Sequence, residues 1–142
     1  MRDSPARWHH EIELSPAFHD IDPMLVVWHG NYVRYVEIAR CALLQQLDYD
    51  YPQMQASGYM WPVVDMRMKY VRPIRYGQRV KIHAEIVEWE HRLKIEYRIS
   101  DAATGEKLTT GYTVQVSVDA TTGEMQFVSP KVLFDCLGLA HD

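Results

Sequence analysis

Apolar positions recur at strand spacing near the start of the chain, then at helical spacing, and from Tyr59 onward at strand spacing again. Trp8, Ile12 and Leu14 share one parity, which predicts a short strand over 8–14 ended by the turn pair Ser15-Pro16. A loop over 17–28 follows, in which Pro23 pushes Asp22 out of the helical region. Gly30 to about Asp48 is the only long helical pattern. Tyr32, Val33, Tyr35, Val36, Ile38, Ala39, Ala42, Leu43, Leu44 and Leu47 cover more than one stripe of it. That coverage predicts a helix wrapped by sheet on most sides, with Arg34, Glu37, Arg40 and Gln45 on a narrow exposed or ion-paired edge.

Four alternating runs come next. Met60, Val64, Met66, Met68 and Tyr70 alternate with Asp65, Arg67 and Lys69, and a bend over 72–77 ends the run. Val80, Ile82, Ala84 and Ile86 form the second run, and Leu93, Ile95, Tyr97 and Ile99 the third. After a turn at 101–105, Leu108, Thr110, Tyr112, Val114, Val116 and Val118 read as one further long strand. A turn at 119–123 leads to a short strand over 124–128. Ser129-Pro130 then reads as cap plus first-turn proline of a small helix at about 130–137, closed by Gly138. The expected architecture is α+β and a single domain over 1–142: a curved antiparallel sheet of five to six strands around one long central helix. Open sheet edges and a partly uncovered helix predict a homodimer or homotetramer.

Composition narrows the function classes. Of the 142 residues, 47% are hydrophobic and 24% charged, which excludes a disordered chain. A net charge of −4 argues against a nucleic-acid partner, whose binding rests on phosphate neutralisation. Cys41 and Cys136 are too few for a disulfide framework. The first thirteen residues lack the apolar core of a signal peptide, and no apolar run approaches the ~18 residues of a membrane span. A cytoplasmic location without a membrane partner is the expectation.

Candidate chemistry gathers in His19-Asp20-Ile21-Asp22-Pro23, directly upstream of the long helix. A helix start offers unpaired N–H groups and a positive dipole end that polarise a carbonyl gaining negative charge. A carboxylate beside it can attack that carbonyl or activate water. The spacing by itself favours a turn-stabilising or capping role for Asp20 or Asp22 over a reactive one. No cluster of ligands has convincing metal spacing, so neither a metal nor another cofactor is expected. Glu37 with Arg34 and Arg40 has the i, i+3 spacing of structural ion pairs.

Asp22-Pro23, then Val26-Val27-Trp28-His29-Gly30-Asn31-Tyr32, then Tyr35, Glu37, Ala39 and Arg40 resemble the signature of the 4-hydroxybenzoyl-CoA thioesterase-like family of hot-dog proteins. Tyr70, Arg72-Pro73, Tyr76-Gly77 and Glu88-Trp89 extend the resemblance, which covers 8–128. It implies a hot-dog fold and hydrolysis of an acyl thioester of coenzyme A or an acyl carrier protein. It makes Asp22 the nucleophile or general base and assigns the backbone amides of His29 and Gly30 to the oxyanion. Asn31, Tyr32, Met24, Leu25 and Trp61 fall on the substrate side, and Arg92 is the candidate phosphate contact, with Arg72 and Arg75 as further ones. Met24-Leu25 departs from the small residues many relatives carry there, which bears on substrate class. Two alternatives stay open: a hot-dog hydratase or dehydratase using His29, and a non-catalytic module that binds acyl thioesters or a carrier protein.

Overall fold

A computed structural model describes residues 8–141. The chain order is β1 (His9–Leu14), α1 (Asn31–Gln46), α2 (Tyr51–Ser57), β2 (Tyr59–Met60), β3 (Val63–Tyr70), β4 (Val80–Glu88), β5 (Leu93–Asp101), β6 (Lys107–Gln115), β7 (Val118–Asp119) and α3 (Lys131–Leu137). Five strands form one antiparallel sheet in the order β1-β4-β5-β6-β3, and β2 and β7 form a separate ribbon. Helix α1 lies against the sheet near β1 and β4.

Register determines which side chains meet the helix. Ile82 stands opposite Ile99, Ala84 opposite Tyr97 and Ile86 opposite Ile95, all buried. Tyr32, Tyr35, Val36, Ala39 and Leu43 of α1 complete this core. Each fully buried Ile or Leu contributes about 1.5–3 kcal/mol of transfer free energy, so this layer holds helix to sheet. The remaining flank of α1 is open: Val33 and Ile38 are exposed. The expectation of a helix wrapped on most sides is therefore corrected; one chain supplies sheet to one face only. Arg40, expected on the polar edge, is buried and ion-paired with Glu37, whereas Arg34 pairs with Asp20.

In β6 the row that lies beside the β5 core is the more polar one. Thr109, Gly111, Thr113 and Gln115 stand opposite Ile99, Tyr97, Ile95 and Leu93, and so face the helix. Tyr112 and Val114 fall on the outer face, where Lys94 sits 4.5 Å from the Tyr112 ring centre and the Tyr112 hydroxyl donates to Asp65 at 3.2 Å. The strand ends at Gln115, and Val118 belongs to the ribbon. At Gly111 an added Cβ would stand 2.3 Å from the Arg67 carbonyl oxygen, so only glycine lets β3 approach this closely.

Three further differences concern the connections. Helix α2 occupies a stretch that hydrophobic period does not assign. Its local signals are a proline in the first turn, Gln53 Oε1 accepting the Asp50 N–H at 3.0 Å, and Gly58 in the left-handed region. The strand expected over 124–128 reduces to one bridge between Met125 and Val118. Pro130, not Ser129, is the N-cap of α3, and Gly138 closes it at φ +72°. The turns at 101–105 and 119–123 share one construction: the aspartate Oδ1 accepts two N–H groups, and the glycine takes positive φ.

Candidate active site

The loop before α1 is organised by Asp20, only 2% exposed. Its carboxylate accepts the Tyr35 hydroxyl at 2.6 Å and the Ala17 N–H at 3.0 Å, and it pairs with the Arg34 guanidinium. Its carbonyl oxygen accepts the Trp28 N–H and the Asn31 side-chain amide, each at 2.9 Å. One residue thus joins both ends of the loop to the first turns of the helix. Burial pushes the Asp20 carboxyl up, but the Tyr35 and Ala17 hydrogen bonds and the charges of Arg34 and His19 outweigh it and leave the group below the usual carboxylate range.

Between those anchors the chain makes a tight hairpin. The Asp22 N–H donates to the Val26 carbonyl at 2.8 Å, and the Leu25 N–H to the Asp22 carbonyl at 2.9 Å. Leu25 sits at φ +67°, a conformation that suits glycine. Buried Val27 pins the hairpin through its N–H, which donates to the Ile74 carbonyl at 2.8 Å. The 72–77 bend is therefore the second wall of the site.

Asp22, Met24, His29, Tyr32, Tyr70 and Arg72 all line one open cavity of about 300 Å³. Asp22 Oδ1 accepts the Met24 N–H at 2.8 Å, and Oδ2 has no partner among the described residues. The His29 carbonyl accepts the Tyr70 hydroxyl at 3.3 Å. The backbone N–H groups of His29 and Gly30 have no intramolecular acceptor among the described residues, because the Trp28 N–H is taken by Asp20 and the helical bonds begin later. A carboxylate oxygen and free amide donors at one cavity are the two parts that acyl transfer requires.

Residues 16–133 match the model of the thioesterase-like superfamily. The chain belongs to that superfamily. Its chemistry is acyl thioester hydrolysis. A Synechocystis protein named "Putative esterase sll0410" is 33% identical over 124 residues, spanning 87% of this chain and 75% of that one. A Bacillus subtilis protein named "Putative acyl-CoA thioesterase YneP" is 32% identical over 77 residues, 54% of this chain and 56% of its own length. The solved DHNA-CoA thioesterase of Staphylococcus aureus superposes with a TM-score of 0.76 at 28% identity, over 84% of this chain and 80% of that one. The hot-dog fold is shared with such neighbours.

Within this thioesterase the residues expected at the site fall into two groups. Asp22, Met24, His29 and Tyr32 come together at the cavity, with Gly30 next in chain. Gly30 cannot carry a Cβ without meeting the Trp28 ring at 2.2 Å. Leu25 points its bulk to solvent, and Asn31 is spent on Asp20. Trp61 and Arg92 line two other cavities, and Arg92 is held bidentately by Glu88 at 3.0 and 2.9 Å. Sequence reasoning did not single out Asp20 as the organiser. The available signal was a carboxylate followed, 14 and 15 residues on, by Arg34 and Tyr35 at the helix start.

Two outcomes follow for this loop. A carboxyl depressed in the folded state stabilises above its unfolded value, near ~4, and loses that contribution as pH falls through its folded value. Urea midpoints followed from neutral pH to acid will therefore drop for the parent protein below about pH 4, and Asp20→Ala will cost about 3 kcal/mol at neutral pH while flattening that drop. Leu25→Gly removes the left-handed strain and will raise stability by about 1 kcal/mol in the same measurement.

Proposed function

We propose that this thioesterase cleaves an acyl thioester of coenzyme A or of an acyl carrier protein in the Asp22 cavity, with Asp22 as nucleophile or general base. The supporting observation is that an Asp22 Oδ2 and a His29 amide, both unpartnered among the described residues, lie at the same opening. The thioester carbonyl oxygen takes the amide hydrogen bond, and negative charge collects there as the carbon becomes tetrahedral. One such donor is worth about 10²–10³ in rate. As nucleophile, Asp22 adds to the carbonyl carbon and the C–S bond breaks, releasing thiolate and leaving an anhydride that water hydrolyses. As base, Asp22 takes a proton from water, and the hydroxide adds to the same carbon before thiolate leaves. Both routes end in a carboxylic acid and a thiol. A thiol with pKa near ~8.5 leaves with little acid assistance, which suits a site with one carboxylate.

A second copy of the chain completes the site in this reading. Val63, Val64, Tyr70 and Val71 are exposed along the free edge strand β3 and its end. Tyr70 and Val71 also line the Asp22 cavity. Covering that edge with its counterpart buries the apolar row and supplies the missing ladder partners beside Asp22.

Thiol release measured over a panel of acyl-CoA and acyl-carrier-protein donors tests the chemistry. Asp22→Asn will lower kcat by at least about 100-fold on the best donor, with an unchanged circular dichroism spectrum. Near-parental turnover in that variant removes Asp22 from the mechanism. Light scattering on a sizing column will give a multiple of the 16.6 kDa chain mass for the parent, and Val64→Lys will shift it toward one chain. A monomeric, fully active parent protein would dismiss the shared site.

A further inference from the structure

Tyr70 stands at the end of the edge strand β3, paired in register with Thr109 of β6. The chain just beyond it is clamped to β6, because the Val71 and Arg72 N–H groups both donate to the Leu108 carbonyl, at 3.0 and 2.9 Å. The Tyr70 ring lies edge-on to the Tyr32 ring at 4.8 Å and to the His29 ring at 6.3 Å. A strand held by its own ladder thus carries the phenol to the first turn of α1, on the wall of the Asp22 cavity that these three residues share.

The phenol hydroxyl donates to the His29 carbonyl oxygen at 3.3 Å, a bond between residues 41 apart in sequence. The same oxygen accepts the Tyr32 N–H at 3.3 Å. What these two bonds orient is a whole peptide unit. The His29 C=O and the Gly30 N–H belong to one planar trans group, in which the N–H points opposite to the C=O. Holding the oxygen toward Tyr32 and Tyr70 therefore aims the Gly30 N–H away from the body of α1. That N–H has no acceptor among the described residues. A donor on the carbonyl also polarises the unit and strengthens its N–H as a donor, by about 10–30% per bond.

Packing does not call for this hydroxyl. Tyr70 is 47% exposed, so water can satisfy the phenol, and the ring contacts with Tyr32 and His29 need no oxygen. The hydroxyl differs from water in being fixed to a strand, and a fixed donor sets a direction.

We propose that Tyr70 is a positioning residue of the hydrolysis: its hydroxyl holds the 29–30 peptide so that the Gly30 amide meets the thioester oxygen as negative charge gathers there, a role that rests on the reading of the Asp22 cavity as the reacting site. Tyr70→Phe in the full chain removes the hydroxyl and keeps the ring. Without any substrate, the NMR signals of the His29 carbonyl carbon and the Gly30 amide nitrogen will move in this variant, with the circular dichroism spectrum unchanged. On the best donor kcat will fall about tenfold while KM stays within about twofold, the pattern of an interaction that acts in the transition state. Tyr70→4-aminophenylalanine returns a donor to the same place and will recover most of kcat. Should Tyr70→Phe not fold, Tyr70→O-methyltyrosine, which cannot donate, makes the same comparison. Unmoved His29 and Gly30 signals, a loss carried by KM, or no recovery with 4-aminophenylalanine overturns the proposal. Loss of turnover in Asp22→Asn beside parental kcat in Tyr70→Phe overturns the role of Tyr70 alone. Parental turnover in Asp22→Asn overturns the reading of the cavity and this role with it.

Discussion

The buried Asp20 carboxylate is the constraint on which the loop before α1 depends. Its side chain takes hydrogen bonds from the chain before the loop and from Tyr35 of α1, while its carbonyl takes the Trp28 N–H and the Asn31 amide. A buried anion of this kind is stable only when nearly every lone pair is engaged, which forces these partners into one arrangement. The arrangement has a chemical consequence. Since the Trp28 N–H is used inward and helical hydrogen bonding starts after Gly30, the two intervening amides have no acceptor among the described residues. Two aspartates separated by one residue thus divide the work: Asp20 holds the frame and Asp22 faces the opening.

The hairpin that carries Asp22 stores strain at Leu25, whose left-handed backbone disfavours a branched side chain. Neighbouring contacts hold it there: the Asp22–Val26 pairing on one side and the Val27–Ile74 pairing on the other. Met24 and Leu25 are large, apolar and exposed, beside the open edge of β3 and the exposed Tyr70 and Val71. Apolar bulk at a loop tip is a poor arrangement for a solitary chain and a sound one where another surface covers it.

Inside the sheet, β6 places Thr109, Thr113 and Gln115 toward the helix, with Tyr97 bonded to Thr113 at 2.7 Å. This polar strip divides an otherwise aliphatic core and runs from the end near Asp22 to the cavity beside α2. Arg40 enters the same region from the helix, where it pairs with Glu37 and interacts with the Tyr97 hydroxyl. One cavity lies at the start of α1 and another along its C-terminal half, and Val36, Ala39 and Leu43 belong to the buried core of the same helix.

Much of the fold was legible in the order of apolar residues. The alternation in β4 and β5 and the long run in α1 express local periods that each element must satisfy to bury a face, and Asp22 and His29 stood out because they flank a helix start. The parity of β6 was not legible. Its outward side carries Tyr112 and Val114 while its inward side carries threonines, and hydropathy by itself ranks those the wrong way round. Helix α2 was hidden by its shortness, since seven residues hold too few periods to register. Local sequence determined which segments become helix or strand and which loop, ahead of the long helix, carries Asp20 and Asp22. Tertiary structure alone decided that Asp20 rather than Asp22 is buried, that Arg40 turns inward and that Trp61 and Arg92 stand away from the Asp22 cavity. Those outcomes depend on partners distant in sequence, whose hydrogen bonds and desolvation no local pattern encodes.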